Sequence, residues 1–388
     1  MVQRSKDSDS TTSAAALLPA GLGDVLPPMA EQEAAAIETL VASFRSYGYE
    51  RVKPPLIEFE TGLLAGTGAA MAAQTFRLMD PVSQRMMGVR ADITVQVARI
   101  AATRLAKMPR PLRLSYAGQV LRVKGTQLRP ERQFAQVGAE LIGIDAATAD
   151  AEIIILAAEA LQNLKVAGLS VDIALPGLVP LILNKGPEIS DDLHQALDRR
   201  DIDAVTKLGG TAGKTLAALI AACGPVASAL AALDKISLPA HTRDIAQRLK
   251  DVIHQVAAAL PNLTLTVDFV ERRGFSYEQG IAFTLFARGV RGELGRGGDY
   301  LISIAEGSAG EPACGVTLYM DSILRALPVQ APAQRLFLPH DTNPARRTTL
   351  QKEGWVTVAG LAKTKDDAAE ARRLGCTHIL SGDKPTPL

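Results

Sequence analysis

The chain has 388 residues, enough for two or three domains with ample buried core at about 150 residues each. Lysine plus arginine (42) and aspartate plus glutamate (41) nearly cancel, which argues against a bulk electrostatic nucleic-acid binder and leaves only a local basic patch open. At 47% hydrophobic and 21% charged residues the chain is globular, and with 4% aromatics, base-stacking platforms are not its main business.

Residues 1–17 are acidic in part, rich in serine and threonine, and lack a signal-peptide core, so they read as a disordered tail. Apolar spacing from about Met29 to Phe44 predicts an amphipathic helix stopped near Gly48. Residues 49–60 read as a strand interrupted by Pro54-Pro55, which confines it to an edge or an interface. The Gly/Ala-rich residues 61–74 predict a mobile loop. Residues 76–89 predict a hairpin turning near Asp80-Pro81, followed by a helix from its cap Asp92 to about Lys107.

Residues 112–123 and 133–143 read as two strands joined by the basic loop KGTQLRPER, a hairpin whose tip can reach an anionic ligand. A long helix over 148–165 and the short strand VDIALP come next. From Leu178 to Leu260 alanine and leucine dominate at helical periodicity, which predicts a separate helical insertion over 178–260. Strands resume at 263–270, 281–287 and 314–320, with a helix through Leu327. A proline-containing stretch, 328–332, then leads to a small α/β unit over 334–388.

Three cysteines, Cys223, Cys314 and Cys376, lie far apart and fit neither a zinc knuckle nor a disulfide framework; a reducing, cytoplasmic setting suits them. No histidine pair has metal-ligand spacing, so no metal is expected, and no run approaches the roughly 18 apolar residues of a membrane span. LGGTAGKT (208–215) imitates a phosphate loop, but only three residues separate Gly209 from Gly213 where four are needed. It reads as a helix–helix turn.

The chemistry is dispersed over several segments: GYERVKPPLIE (48–58), VRADIT (89–94), YAGQVLRVKGTQLRPERQFAQVGAELIG (116–143), RRGFSYEQGIAF (272–283), GRGGDY (295–300) and CGVTLYMDSILRAL (314–327). In this order and spacing they resemble the three motifs and the histidine-specific motif of histidyl-tRNA synthetases, a class II family. The resemblance covers roughly residues 18–175 and 262–327. It implies an α+β fold, a class II synthetase-like antiparallel sheet of about six strands flanked by helices. The core would span 18–177 and 261–327, with the helical insertion at 178–260. A truncated, anticodon-domain-like α/β unit at 334–388 would lack its last strand.

The residue types suit a free amino acid. Asp92, Gln136 and Glu140 offer acceptors for an ammonium and for imidazole N–H groups, Thr94 adds a hydroxyl, and Arg122 can clamp a carboxylate or phosphate. Gln136, Gly138 and Glu140 alternate along one strand and so share a face, with Gly138 leaving room for a ligand between the two acceptors. The resemblance adds Arg273 and Tyr277 to this histidine-binding set. Taken one at a time, Glu140 reads equally as a surface charge and Arg122 as a hairpin ion pair.

Departures from the synthetase pattern bear on activity. Ser322 stands where the third motif carries an arginine, Tyr319 where it carries a glycine, and Lys124 where the second motif carries a glutamate. Ser276 and Glu278 replace an aspartate and a tyrosine of the histidine-specific motif. Loss of one charge-stabilising donor costs on the order of a hundred- to thousandfold in rate, so several losses predict no useful amino-acid activation and no catalytic residues.

The combination resembles the catalytically silent synthetase paralogues that act as regulatory subunits of ATP phosphoribosyltransferase. That resemblance implies a homodimer, formed near residues 49–60, within a hetero-octamer with a short-form catalytic subunit in the first step of histidine biosynthesis. L-histidine would be the feedback ligand, with no cofactor, nucleic acid or membrane involved. Two other readings stand beside it: an active histidyl-tRNA synthetase with a shortened C-terminal domain, and an amino-acid-binding scaffold of another pathway.

Overall fold

The computed structural model describes residues 17–184, 189–271, 278–303, 310–328 and 334–388. The chain divides into two compact units, Met1–Pro328 and Val329–Leu388.

The large unit opens with α1 (Met29–Ser46), which buries Ala36, Leu40, Val41 and Phe44 along one stripe. Pro54-Pro55 splits the strand expected over 49–60 into β1 (Glu50–Arg51) and β2 (Ile57–Phe59), which join different sheets. The loop expected over 61–74 is instead helical: α2 (Glu60–Leu63) and then a 3₁₀ helix, Gly66–Gln74. Its apolar side chains explain the difference, since Leu63 and Met71 are buried and the Thr75 hydroxyl donates to the Met71 carbonyl at 2.8 Å. The predicted hairpin is β3 (Phe76–Met79) and β4 (Met86–Val89), turned by Asp80, which accepts from Val82 N and Ser83 N. With β2 they make a small three-stranded sheet. The next helix, α3 (Thr94–Ala102), stops short of Lys107.

The long hairpin follows as β5 (Leu112–Leu121) and β6 (Gln133–Ile142), then α4 (Ala147–Asn163) and β7 (Leu169–Ala174). Residues 178–260 fold as α5 (Leu178–Leu183), α6 (Asp191–Asp198), α7 (Ile202–Leu208), α8 (Gly213–Ala222), the two-residue strand β8 (Gly224–Pro225), α9 (Val226–Leu233) and α10 (Arg243–Ala259). The phosphate-loop look-alike is the turn between α7 and α8. The unit closes with β9 (Thr264–Asp268), β10 (Glu278–Ala287), β11 (Gly295–Ile302), β12 (Glu311–Tyr319) and α11 (Met320–Ala326).

These strands form one nine-stranded sheet ordered β1-β5-β6-β12-β11-β10-β7-β9-β8. Its middle six, β5 to β7, are antiparallel as expected. The sheet as a whole is mixed, because β1 pairs parallel to β5 and β9 parallel to β7. Of the two-residue strands at its ends, β1 falls within the strand expected over 49–60, whereas β8 is too short to leave a periodic signal. The helices of 178–260 are not a detached bundle: Leu193, Val205, Leu216, Ala229, Leu249 and Val256 share one continuous apolar core with the sheet and α4. On that side Arg248 of α10 pairs with Asp145 and with the buried Asp150 at 2.7 Å, both at the start of α4.

The small unit alternates β13 (Arg335–Leu338), α12 (Pro344–Lys352), β14 (Val356–Ala359), α13 (Asp367–Arg373) and β15 (His378–Ser381), and adds β16 (Lys384–Pro387). Its sheet runs β14-β13-β15-β16, with β14 and β15 parallel to β13 and β16 antiparallel to β15. Residues 384–387 thus supply a strand where an open edge was expected; their two prolines masked it in the sequence. Leu336, Leu338, Leu350 and Leu380 pack on one face, Phe337, Ala371 and Cys376 on the other. All three cysteines are free. Among the described residues no helix is long and apolar enough to cross a membrane.

Candidate functional site

Strand register assembles the site. Tyr116 on β5 pairs with Gly138 on β6, which pairs with Thr317 on β12; one row along, Glu140 lies between Leu114 and Gly315, and on the other side Gln136 lies between Gly118 and Tyr319. Residues paired across strands face the same way, so these three rows line one surface about 7 Å from row to row. Two glycines make the packing possible. A Cβ on Gly315 would sit 1.7 Å from Glu140 Oε2, and one on Gly138 would sit 2.3 Å from the Tyr116 hydroxyl. The gap that Gly138 was expected to leave for a ligand is therefore filled by Tyr116.

The polar groups on this face form one buried network. Gln136 Nε2 donates to Asp92 Oδ2 at 2.8 Å and its Oε1 accepts from Ile93 N at 3.0 Å. Asp92 Oδ1 accepts from Thr94 N at 2.9 Å, fixing the start of α3. The Thr94 hydroxyl donates to Glu140 Oε1 at 3.0 Å and lies 3.0 Å from the Tyr116 hydroxyl, which is itself 2.8 Å from that of Thr317. Tyr300 donates to Glu140 Oε2 at 2.8 Å. Asp92, Gln136 and Glu140 are each at most 1% exposed. Burial, only partly offset by the hydroxyl donors, pushes the Glu140 carboxyl up to about 8.

Cations gather at the other end. Arg122 donates through Nε to the Ala91 carbonyl at 3.3 Å and lies over the Phe134 ring at 5.1 Å. Arg129, from the basic loop, stacks 3.9 Å from the Tyr319 ring centroid and pairs with Asp321 at 2.8 Å. Ser322, 1% exposed, accepts from Arg129 and from Arg325, at 3.2 and 3.0 Å. Where the synthetase pattern puts an arginine, this chain therefore has a serine held by two arginines from elsewhere, and a guanidinium covers the face of Tyr319.

Of the residues expected in the site, Asp92, Thr94, Gln136 and Glu140 come together in one network, and Arg122 stands apart at the cationic end. Arg273 and Tyr277 lie outside the described residues. Tyr116, Tyr300, Thr317, Arg129 and Arg296 were not singled out, although all five sit inside motifs that were, and the alternation that selected Glu140 would select Tyr116 once β5 and β6 are paired. On the opposite face Asp150, Asp299 and Cys314 bring potential ligand atoms within 4.8 Å of one another. Arg248 is bound to both carboxylates, at 2.7 and 3.1 Å, and already supplies their counter-charge.

A nine-stranded mixed sheet carrying this acceptor network defines a class II synthetase-like protein. The family model for histidyl-tRNA synthetase matches residues 21–323. Among solved structures, an ATP phosphoribosyltransferase regulatory subunit/histidyl-tRNA synthetase from Bacillus halodurans shares the fold at TM-score 0.76 and 21% identity, over 92% of this chain and 96% of that one. Histidyl-tRNA synthetase from Nostoc does so at TM-score 0.76 and 18% identity, over 94% and 90%. Much closer in sequence are the ATP phosphoribosyltransferase regulatory subunits of Rhodospirillum centenum, 55% identical over 97% of both chains, and Paramagnetospirillum magneticum, 56% identical over 95% of this chain and 97% of that one. The chain belongs to the family of ATP phosphoribosyltransferase regulatory subunits.

Proposed function

We propose that this chain binds L-histidine through Asp92, Thr94, Gln136 and Glu140, performs no catalysis itself, and conveys feedback to a short-form ATP phosphoribosyltransferase catalytic subunit in the first step of histidine biosynthesis. One observation carries the reading: Asp92, Thr94, Gln136 and Glu140 share one buried network, while Ser322 stands where the synthetase motif has its arginine and Tyr319, covered by Arg129, where it has a glycine. Acceptors at Asp92 and Gln136 suit the ammonium, and Glu140 suits an imidazole N–H. For this to be feedback, histidine must favour one assembly state over another, typically by about 1–3 kcal/mol.

We further propose a homodimer within a hetero-octamer, in the cytoplasm, with no cofactor and no nucleic-acid partner. Exposed Leu56, Ile57, Phe59, Met79, Val82 and Met86 on the three-stranded sheet and its turn support pairing of two copies there. An active histidyl-tRNA synthetase is disfavoured by the same Ser322 and Arg129 arrangement.

Calorimetry of the full chain with L-histidine, together with histidine-dependent ATP–pyrophosphate exchange, tests the reading. Histidine binding without exchange is expected. Exchange above background, or wild-type affinity in Gln136→Ala and Glu140→Ala, overturns it.

A further inference from the structure

A second arginine shares the face of the site with Arg122. Arg296 on β11 is paired in register with Thr317, whose hydroxyl belongs to the buried network, so Arg296 projects from the same face. Its Nε is buried without a hydrogen-bond partner, and among the described residues no carboxylate pairs with it or with Arg122. Arg129, in contrast, is committed to Asp321, to Ser322 and to the face of Tyr319. Burial raises the Tyr319 phenol, and the charges of Arg122, Arg129 and Arg296 pull it the other way. A buried guanidinium nitrogen without a partner is costly, and a planar anion that accepts from it and from a second guanidinium relieves it best.

We propose that Arg296 and Arg122 form the anion-receiving end of the site and take the α-carboxylate of the amino acid whose nitrogens face Asp92, Gln136 and Glu140. The assignment rests on the reading of that network as an amino-acid site. Arg296 stands in the row of Tyr116, Gly138 and Thr317, between the rows of Gln136 and Glu140, so a cation is set directly beside the acceptors, as the adjacent ammonium and carboxylate of a zwitterion require. A carboxylate fits better than a nucleotide, because Tyr319, covered by Arg129, fills the place where the synthetase motif has a glycine. Arg296 is thereby a specificity-determining residue: it separates ligands that carry a carboxylate from those that do not.

The experiment is calorimetry of the full chain with L-histidine, L-histidinol and inorganic phosphate, on wild type, Arg296→Met and Arg296→Lys. Arg296→Met should weaken L-histidine tenfold or more and leave L-histidinol, which lacks the carboxylate, within about twofold; Arg296→Lys should fall between. Arg296→Gln, which keeps hydrogen-bond donors, provides the same comparison should the methionine variant fold poorly. Unchanged histidine affinity in both Arg296→Met and Arg296→Gln, or equal loss of both ligands, overturns the assignment. So does phosphate binding that disappears in Arg296→Met while histidine binding persists. Failure of the wild type to bind L-histidine at all overturns the amino-acid site itself, a result distinct from loss of the carboxylate contact alone.

Discussion

Gln136 and Asp92, on different elements, complete each other: the amide nitrogen of Gln136 donates to Asp92 at 2.8 Å while its carbonyl oxygen accepts from the next backbone amide, Ile93 N. Asp92 in turn accepts from Thr94 N, so one glutamine on the sheet fixes the first turn of α3. All of this is buried, where each hydrogen bond left unmade costs its full desolvation.

Truncation at this point therefore acts on fold and ligand together. Gln136→Ala leaves Ile93 N and Asp92 Oδ2 without partners and should cost about 1–3 kcal/mol. Urea unfolding reads that cost, and calorimetry should show loss of L-histidine binding in the same variant.

Glu140 gives the protein a pH signature. An unfolded glutamate ionises near 4.5, whereas burial holds Glu140 up to about 8. Between those values the folded chain keeps a proton that the unfolded chain has lost, so stability falls as pH rises from about 4.5 to about 8 and levels above it. Asp299, also raised by burial, contributes a slope of the same sign, so the informative quantity is a difference. Glu140→Gln should show a shallower decline than wild type in urea midpoints taken from pH 5 to pH 8.

The Arg129–Asp321 pair is the most enclosed ion pair near the site, with side chains 9% and 5% exposed. Removing one partner of a buried pair costs about 3–5 kcal/mol, mostly because the other charge is stranded. Arg129→Ala should lie near the low end, since Arg325 also approaches Asp321, at 3.5 Å. Adding Asp321→Asn should recover part of the loss, giving a double-mutant cycle that departs from additivity.

Gly315 is a steric test of the acceptor end. A methyl there would lie 1.7 Å from Glu140 Oε2, so Gly315→Ala must displace the carboxyl or part β6 from β12. We expect about 1–3 kcal/mol of destabilisation or more, with histidine binding lost. Gly292→Ala, at a loop with positive φ (87°) and no close side-chain neighbour, should cost stability without touching the ligand.

Much of this arrangement was legible in the sequence. Alternation in QFAQVGAELI placed Gln136 and Glu140 on one face, Pro54-Pro55 announced a split strand, and the departures at Tyr319 and Ser322 are plain residues at plain positions. What could not be read was pairing at long range. Thr94 meets Thr317 across 223 residues of sequence, and Tyr300 reaches Glu140 across 160. Neither period nor propensity carries that information; register does. Arg129 was read only as part of a basic loop, because whether a loop arginine turns outward or lies on a tyrosine depends on what the neighbouring strands leave uncovered. Gly138 was misread for the same reason: its missing side chain is needed by Tyr116 on the adjoining strand. The two-residue strand β8 is visible only as hydrogen bonds to its neighbour.

The strand Lys384–Pro387 has a consequence for behaviour in a crowded cell. Leu388 N donates to Thr377 O, and Ser381 pairs with Lys384, so by alternation residues 384, 386 and 388 turn their amides toward β15. The outward positions are Pro385 and Pro387, which have no amide hydrogen to offer. That flank of the small sheet offers acceptors but no donors to a further strand, which disfavours edge-to-edge pairing there.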